Sequence, residues 1–169
     1  MSDESLQELL ETAKSARLKS IAPFSNFMVG AAVKTEAGKV YIGGNIESAS
    51  YGLTVCAERV AIWKALSEGE RRFTELAIVA DTGTLTPPCG TCRQIIWEFA
   101  KNATIILGNL QGETEVVSIR ELLPRAFDAR FLTAAKEADE AAARSGITKS
   151  EPEPAATESR RDEPGRELS

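Results

Sequence analysis

The chain has 169 residues, 43% of them hydrophobic, which is enough for one globular domain and some excess length. Its formal net charge of −5 argues against a polynucleotide substrate, since proteins that follow phosphates usually carry a basic groove. No apolar run approaches the roughly 20 residues that span a bilayer, and the acidic N-terminus lacks a signal segment. We therefore expect a cytoplasmic protein that binds neither nucleic acid nor membrane.

Hydrophobic periodicity and turn residues predict a regular series of helices and strands. In chain order these are a helix ending before Pro23, strands over residues 27–35 and 40–44, a helix ending near Gly69, a strand over residues 76–80, a helix around residues 95–99, strands over residues 104–107 and 114–117, and a short helix capped by Ser118. Ser5 and Glu8 have capping-box spacing at the start of the first helix. The order predicts an α/β fold, a three-layer α/β/α sandwich around a mixed five-stranded sheet.

The composition changes after Phe131. Residues 134–143 are mainly alanine and charged residues, and from Ser150 onward Glu, Pro, Arg and Ser dominate. Such a composition cannot bury enough apolar surface to offset its ordering entropy. We predict a catalytic domain over residues 1–132 and a tail over residues 133–169, partly helical or disordered.

The three cysteines lie in two short motifs, and the chain has no histidine. Cys56 opens Cys-Ala-Glu-Arg, and Cys89 and Cys92 belong to Pro-Cys-Gly-Thr-Cys-Arg-Gln. Three thiolates fill three corners of a tetrahedral zinc site, and a catalytic zinc keeps the fourth for water. The alternative is a structural zinc site closed by a carboxylate or by another chain.

Two residues after Cys56 suit the chemistry around such a metal. On a helix Glu58 would diverge from Cys56 by roughly 200°, so it is poorly placed as a ligand but can reach a water or substrate. Arg59, at i+3 from Cys56, is predicted on the same helical face, where it can donate to the sulfurs. Its charge would offset the formal net charge of about −1 of zinc with three thiolates.

Taken together, the motifs closely resemble those of the short, homotetrameric cytidine deaminases. The resemblance covers roughly residues 5 to 131 and rests on residues 22–27, 45–47, 49–52, 56–59 and 88–94. It implies one Zn²⁺ per subunit, a homotetramer and a pyrimidine nucleoside as substrate. The implied reaction is hydrolytic deamination of cytidine and 2′-deoxycytidine in pyrimidine salvage, with Glu58 as the catalytic proton carrier.

Asn45 and Glu47 lie two residues apart at the end of a strand, so we expect their side chains to point the same way. An amide and a carboxylate suit a ribose hydroxyl, and the resemblance implies the 3′-hydroxyl in particular. It also implies that Phe27 packs near the pyrimidine and that the backbone of Ala57 contacts the base.

The resemblance further implies supporting roles for three residues. Gln94 would support the zinc side of the site by hydrogen bonding, and Arg59 would do so by donating to the sulfurs. Tyr51 matches a loop residue near a subunit boundary, and Phe127 resembles an aromatic residue lent to a neighbouring subunit's site.

Two other functions stay open. A deaminase of the blasticidin S type, acting on an aminoacyl-nucleoside, shares the zinc motifs, although Asn45 and Glu47 favour a plain nucleoside. From a different class, the chain could be a zinc-stabilised binding module without catalysis, against which the presence of Glu58 argues.

Overall fold

The computed structural model of the chain describes residues 3–144. The strands are β1 (Val29–Thr35), β2 (Val40–Gly44), β3 (Phe73–Ala80), β4 (Thr104–Asn109) and β5 (Thr114–Val117). The helices are α1 (Asp3–Arg17), α2 (Ala57–Ser67), α3 (Gly90–Phe99), α4 (Ile119–Leu122) and α5 (Arg130–Arg144), and one 3₁₀ turn spans Tyr51–Leu53.

The five strands form one mixed sheet in the order β2-β1-β3-β4-β5. Neighbouring strands are antiparallel except β3 and β4, which are parallel. Alternate residues of each strand face opposite sides, so that Ala31 and Ile78 pack with α2 and α3, whereas Ala32 and Ala77 pack with α1. The predicted three-layer sandwich is confirmed.

Glycines allow α1 and α2 to approach the sheet at backbone distance. A Cβ added to Gly30 would lie 2.0 Å from the Ala13 carbonyl oxygen of α1. A Cβ added to Gly43 would lie 2.4 Å from the Ala57 carbonyl oxygen and 2.6 Å from the Ala61 nitrogen. The first turn of α2 therefore rests directly on the backbone of β2.

Strand β3 begins three residues earlier than predicted. Glu75 lies within it and is buried, because Lys34 of the neighbouring strand β1 pairs with its carboxylate at 3.3 Å. The residue before it, Thr74, is exposed, so the first part of the strand lacks the apolar run that marks its remainder.

The predicted capping box at Ser5 is wrong. Helix α1 already includes Asp3, and the Ser5 hydroxyl accepts a hydrogen bond from the Lys34 amine at 2.9 Å. The predicted cap at Ser118 is confirmed, since Ser118 and Glu121 form a reciprocal capping box at the start of α4. Strand β1 begins at Val29 rather than residue 27, because the preceding residues form a loop.

The outer strands of the sheet are short. Strand β2 forms one edge, and the Lys64 amine of α2 donates to the Ile42 carbonyl oxygen at 2.9 Å. Strand β5 forms the other edge and has four residues, of which Thr114, Glu115 and Val116 are exposed.

By their contacts the residues divide into two compact units after Asp128, and α5 belongs to the second. Helix α5 runs across the predicted domain boundary at residue 132, and that boundary stays a prediction. The rest of the predicted tail, residues 145–169, lies outside the described residues. None of the helices in residues 3–144 combines the length and the apolar character that a bilayer crossing requires.

Replacing Gly43 with alanine should destabilise the protein, because the new methyl group meets backbone atoms that cannot rotate away. We expect a loss of about 3 kcal/mol in the free energy of unfolding, the upper end of the usual cost of overpacking. Thermal or urea unfolding measures it. The control is Gly83→Ala, where the methyl group has no neighbour within 4 Å. Equal stability of the two variants would contradict the close approach of α2 to β2.

Candidate metal centre and active site

The beginnings of α2 and α3 bring the three cysteines together. Cys56 is the residue before α2, and Cys89 is the residue before α3, each with extended backbone angles. Cys92 lies in the first turn of α3 and is buried. The side chain of Arg93 fixes the approach to α3, since its Nε donates to the Pro88 carbonyl oxygen at 2.8 Å and a terminal nitrogen to the Leu122 carbonyl oxygen at 2.9 Å.

The sulfur geometry suits a tetrahedral zinc ion. The three Sγ atoms lie within 4.8 Å of one another, and those of Cys56 and Cys89 are 3.8 Å apart. Ligands placed about 2.3 Å from zinc at the corners of a tetrahedron lie about 3.8 Å apart. Among the side chains that the structure describes, no carboxylate oxygen joins the three sulfur atoms as a ligand, which fits a catalytic site better than a closed structural one.

The thiols also influence one another's ionisation. A hydrogen bond from Cys92 lowers the pKa of Cys56 to about 5, and Arg59 adds to this effect, while burial opposes it. The hydrogen bond to Cys56, followed by burial, raises the pKa of Cys92. Thiolates this close repel one another, so positive charge placed among them favours their ionisation. Cys56, Cys89 and Cys92 would hold a zinc ion, which would supply that charge.

Arg59 lies beside the sulfurs, as its spacing predicts. One guanidinium nitrogen lies 3.8 Å from the Cys56 sulfur and donates to the Thr54 carbonyl oxygen at 3.0 Å. The guanidinium also lies 5.6 Å from the centre of the Trp63 ring. Its Nε is buried without a hydrogen-bond partner among the described residues, so the group keeps unused donor capacity beside the cluster.

Glu58 occupies the first turn of α2 and is only 4% exposed. Burial raises the pKa of its carboxyl group, and the negative charge of Cys56 adds to the rise, whereas Cys92 and Arg59 act to lower it. A buried carboxyl group that interacts with two of the thiols is placed to exchange protons with a reactant at the metal.

The predicted substrate residues lie on neighbouring segments of the first unit. Asn45 directly follows β2, and its amide is engaged by backbone: it donates to the Phe27 carbonyl oxygen at 2.9 Å and accepts from the Val29 nitrogen at 2.8 Å. The Glu47 carboxylate accepts from the backbone nitrogens of Phe24 and Ser25. The Phe27 side chain is 41% exposed, whereas Ala57 is fully buried against the sheet.

The remaining predicted residues lie at the surface of the same unit. The Gln94 side chain donates to the Phe127 carbonyl oxygen at 2.9 Å and so fixes the segment after α4. The Phe127 side chain is exposed. Tyr51 is 77% exposed and its ring packs edge to face on Phe24, with centroids 6.0 Å apart.

Three residues with clear roles in this geometry had no role from sequence reasoning. Ser25 contacts the Glu47 carboxylate, Thr54 offers its carbonyl oxygen to Arg59, and Arg93 fixes the approach to α3. Arg93 and Ser25 stand inside the motifs that carry the resemblance, and their position there is the signal that could have marked them. The Thr54 contact uses backbone, so its side chain carries no such signal.

Three thiols that fit zinc, a buried carboxyl group and a neighbouring arginine are features of a catalytic rather than a structural metal centre. Comparison with known proteins agrees. A family model described as the cytidine and deoxycytidylate deaminase zinc-binding region matches residues 3–108.

The cytidine deaminase of Halalkalibacterium halodurans is 50% identical over 124 residues, which cover 73% of this chain and 94% of that protein. The crystal structure of cytidine deaminase from Burkholderia pseudomallei matches with a TM-score of 0.71 and 46% identity, covering 75% of this chain and 100% of the other. A blasticidin-S deaminase from Bacillus cereus is more distant, at 29% identity over 125 residues that cover 69% of this chain and 88% of that protein. The chain belongs to the zinc-dependent cytidine deaminase family.

Removing one sulfur should disrupt the metal site. We expect Cys92→Ser to weaken zinc binding by more than the roughly 10–100-fold that loss of a supporting residue costs, because it removes a ligand itself. Zinc per chain, measured by mass spectrometry after equilibration with a competing chelator, reports the loss. The control is Thr91→Ala, an exposed position between two ligands. Wild-type zinc affinity in Cys92→Ser would contradict the three-thiolate site.

Proposed function

We propose that the chain hydrolyses the 4-amino group of cytidine and 2′-deoxycytidine, giving uridine or 2′-deoxyuridine and ammonia. The observation that carries the proposal is the buried Glu58 carboxyl group beside three thiols that fit zinc. The similarity to proteins described as cytidine deaminases supports this substrate class.

Zinc held by Cys56, Cys89 and Cys92 would lower the pKa of a water molecule, so that hydroxide is available near neutral pH. Glu58 accepts the proton that the water loses and delivers it to N3 of the pyrimidine, which makes C4 electrophilic. After hydroxide adds to C4, Glu58 takes the proton of the new hydroxyl group and passes it to the amino group. The C4–N bond then breaks, ammonia leaves and C4 keeps the oxygen as a carbonyl.

We assign the nucleoside contacts to residues on two adjoining segments and the start of α2. Glu47 and Asn45 bind the sugar, with the carboxylate of Glu47 accepting from a ribose hydroxyl. Phe27 packs against the pyrimidine, and the backbone of Ala57 contacts the base. The partly exposed ring of Phe27 supports this assignment, as does its backbone hydrogen bond to Asn45. Arg59 and Gln94 support the site without contacting the nucleoside.

The active enzyme that we propose is a homotetramer. The support is the resemblance to the short deaminases, together with large apolar side chains that the first unit exposes: Leu18, Ile21, Ile46, Leu53 and Trp63. In this assembly Tyr51 lies near a subunit boundary, and Phe127 contributes to the site of a neighbouring subunit.

We further propose a cytoplasmic enzyme of pyrimidine salvage, with residues 1–132 as the catalytic domain. The net charge of −5 is consistent with a small nucleoside as partner rather than a nucleic acid. A blasticidin S-type activity is the less favoured alternative, since that relative is the more distant one. A binding module that lacks catalysis is disfavoured by the buried Glu58.

Replacing Glu58 with glutamine should abolish turnover while zinc stays bound. Each proton transfer contributes about 10²–10⁴-fold to the rate, and Glu58 makes more than one, so we expect kcat to fall by at least about 10⁴-fold. Ammonia release and the loss of cytosine absorbance measure the rate. The control is Glu98→Gln, an exposed glutamate on α3. A Glu58→Gln variant that retains zinc and turns over cytidine normally would refute the role of this carboxylate.

The substrate class is tested by giving the purified protein cytidine, 2′-deoxycytidine and blasticidin S separately. We expect conversion of both plain nucleosides and little conversion of blasticidin S, because the predicted sugar contacts suit an unmodified ribose or deoxyribose. Conversion of blasticidin S alone would contradict the proposed substrates and leave the proposed deamination chemistry unchanged. Silence on all three compounds, with zinc bound and the fold intact, would contradict the proposed function.

A further inference from the structure

The loop over residues 20–29 folds around the segment over residues 45–47 that follows β2. The Ile21 nitrogen donates to the Asn45 carbonyl oxygen at 2.9 Å, and the Glu47 nitrogen donates to the Ile21 carbonyl oxygen at 2.8 Å. The Ser20 hydroxyl donates to the Val29 carbonyl oxygen at 2.8 Å near the end of the loop. Backbone hydrogen bonds therefore link the two segments. The side chains of Asn45 and Glu47 add hydrogen bonds to residues 24–29 of the loop.

The Glu47 carboxylate has three donors from this loop. Its Oε2 accepts from the Phe24 nitrogen at 2.8 Å and from the Ser25 nitrogen at 3.2 Å, and its Oε1 accepts from the Ser25 hydroxyl. The Ser25 hydroxyl, followed by the Phe24 amide, lowers the pKa of Glu47, so the group stays ionised. Two of these three contacts go to Oε2, and the contact from the Ser25 hydroxyl is the one that goes to Oε1.

The same hydroxyl group makes a second hydrogen bond, as acceptor from the Phe27 nitrogen at 2.9 Å. A serine hydroxyl carries one proton and two lone pairs, so it can donate to Glu47 and accept from Phe27 at once. Asn26 lies between the two residues with φ of 56°, a left-handed conformation that asparagine tolerates better than most residues. The Phe27 carbonyl oxygen accepts from the Asn45 amide, so side-chain groups hold the Phe27 peptide on both sides.

We propose that Ser25 is a positioning residue that couples the sugar-binding carboxylate of Glu47 to the base-binding ring of Phe27. The role rests on the proposed function, because it takes Glu47 and Phe27 to contact the nucleoside. Its hydroxyl fixes the Oε1 oxygen of Glu47 by donating to it. By accepting from the Phe27 nitrogen, the same hydroxyl also fixes the backbone position from which the Phe27 ring extends. Ser25 does not contact the reacting atoms, and its effect is on how a nucleoside with an intact sugar is bound.

The test compares Ser25→Ala with wild type on two substrates, cytidine and 3′-deoxycytidine, which lacks the hydroxyl group assigned to Glu47. Losing the hydrogen bond to a charged group should raise KM for cytidine by roughly tenfold. Because the proton transfers do not involve Ser25, kcat should stay within about threefold. The ratio of kcat/KM for cytidine to kcat/KM for 3′-deoxycytidine should fall by a similar tenfold. General damage to the fold would instead lower kcat/KM for both substrates by the same factor.

Two further variants sharpen the comparison. Ser25→Thr keeps the hydroxyl group and should restore KM and the preference for cytidine. Ser67→Ala is the matched control, since its hydroxyl donates only to the local Lys64 carbonyl oxygen at the end of α2. If Ser25→Ala does not fold, Ser25→Cys replaces it, because a thiol is a weak donor in the same place.

The proposal for Ser25 is overturned if Ser25→Ala keeps the wild-type KM and the wild-type preference while Glu47→Gln raises KM for cytidine. It is equally overturned if the main effect is on kcat or zinc content, or if threonine fails to restore binding. These results leave the proposed function standing. Failure of the wild-type protein to convert any nucleoside is the separate result that removes the proposed function itself.

Discussion

Three ionised sulfur atoms can share a space less than 4.8 Å across only if positive charge lies among them. This electrostatic constraint accounts for much of the surrounding structure. The guanidinium of Arg59 lies beside Cys56, and both helices that carry the cysteines begin at the cluster, where their first-turn amides favour negative charge. Glu58 adds a carboxylate in the same place, and burial favours its neutral form. The site thus combines sulfur atoms that favour a cation with a buried carboxyl group to which we assign the proton transfers.

Close contacts between backbone segments hold the groups of this site in place. Since α2 meets β2 at Gly43 without an intervening side chain, the position of Cys56 and Glu58 is fixed relative to the segment that carries Asn45 and Glu47. That segment in turn holds the loop of residues 20–29 by hydrogen bonds to its backbone. The predicted metal, proton-transfer and nucleoside groups are therefore linked by short, direct connections on one end of a single sheet.

Sequence reasoning predicted the order of elements because apolar periodicity follows the burial of each strand and helix. It predicted that the three cysteines meet, because three thiols in two short motifs leave few alternatives, and the structure brings them together. It missed the first part of β3, since Glu75 is buried only by pairing with Lys34, 41 residues earlier in the chain. It also predicted Asn45 as a sugar contact without its bonds to the loop backbone, which depend on tertiary structure that no local pattern encodes.

The two edges of the sheet bear on how copies of the chain can associate. An unpaired strand edge is a template for adding a strand from another molecule, which leads to open-ended aggregation. Here one edge has a carbonyl already bonded to the Lys64 amine, and the other is a four-residue strand carrying the charged Glu115. Both features discourage sheet extension, so the proposed homotetramer would use helices and loops, rather than strand edges, as its contact surfaces.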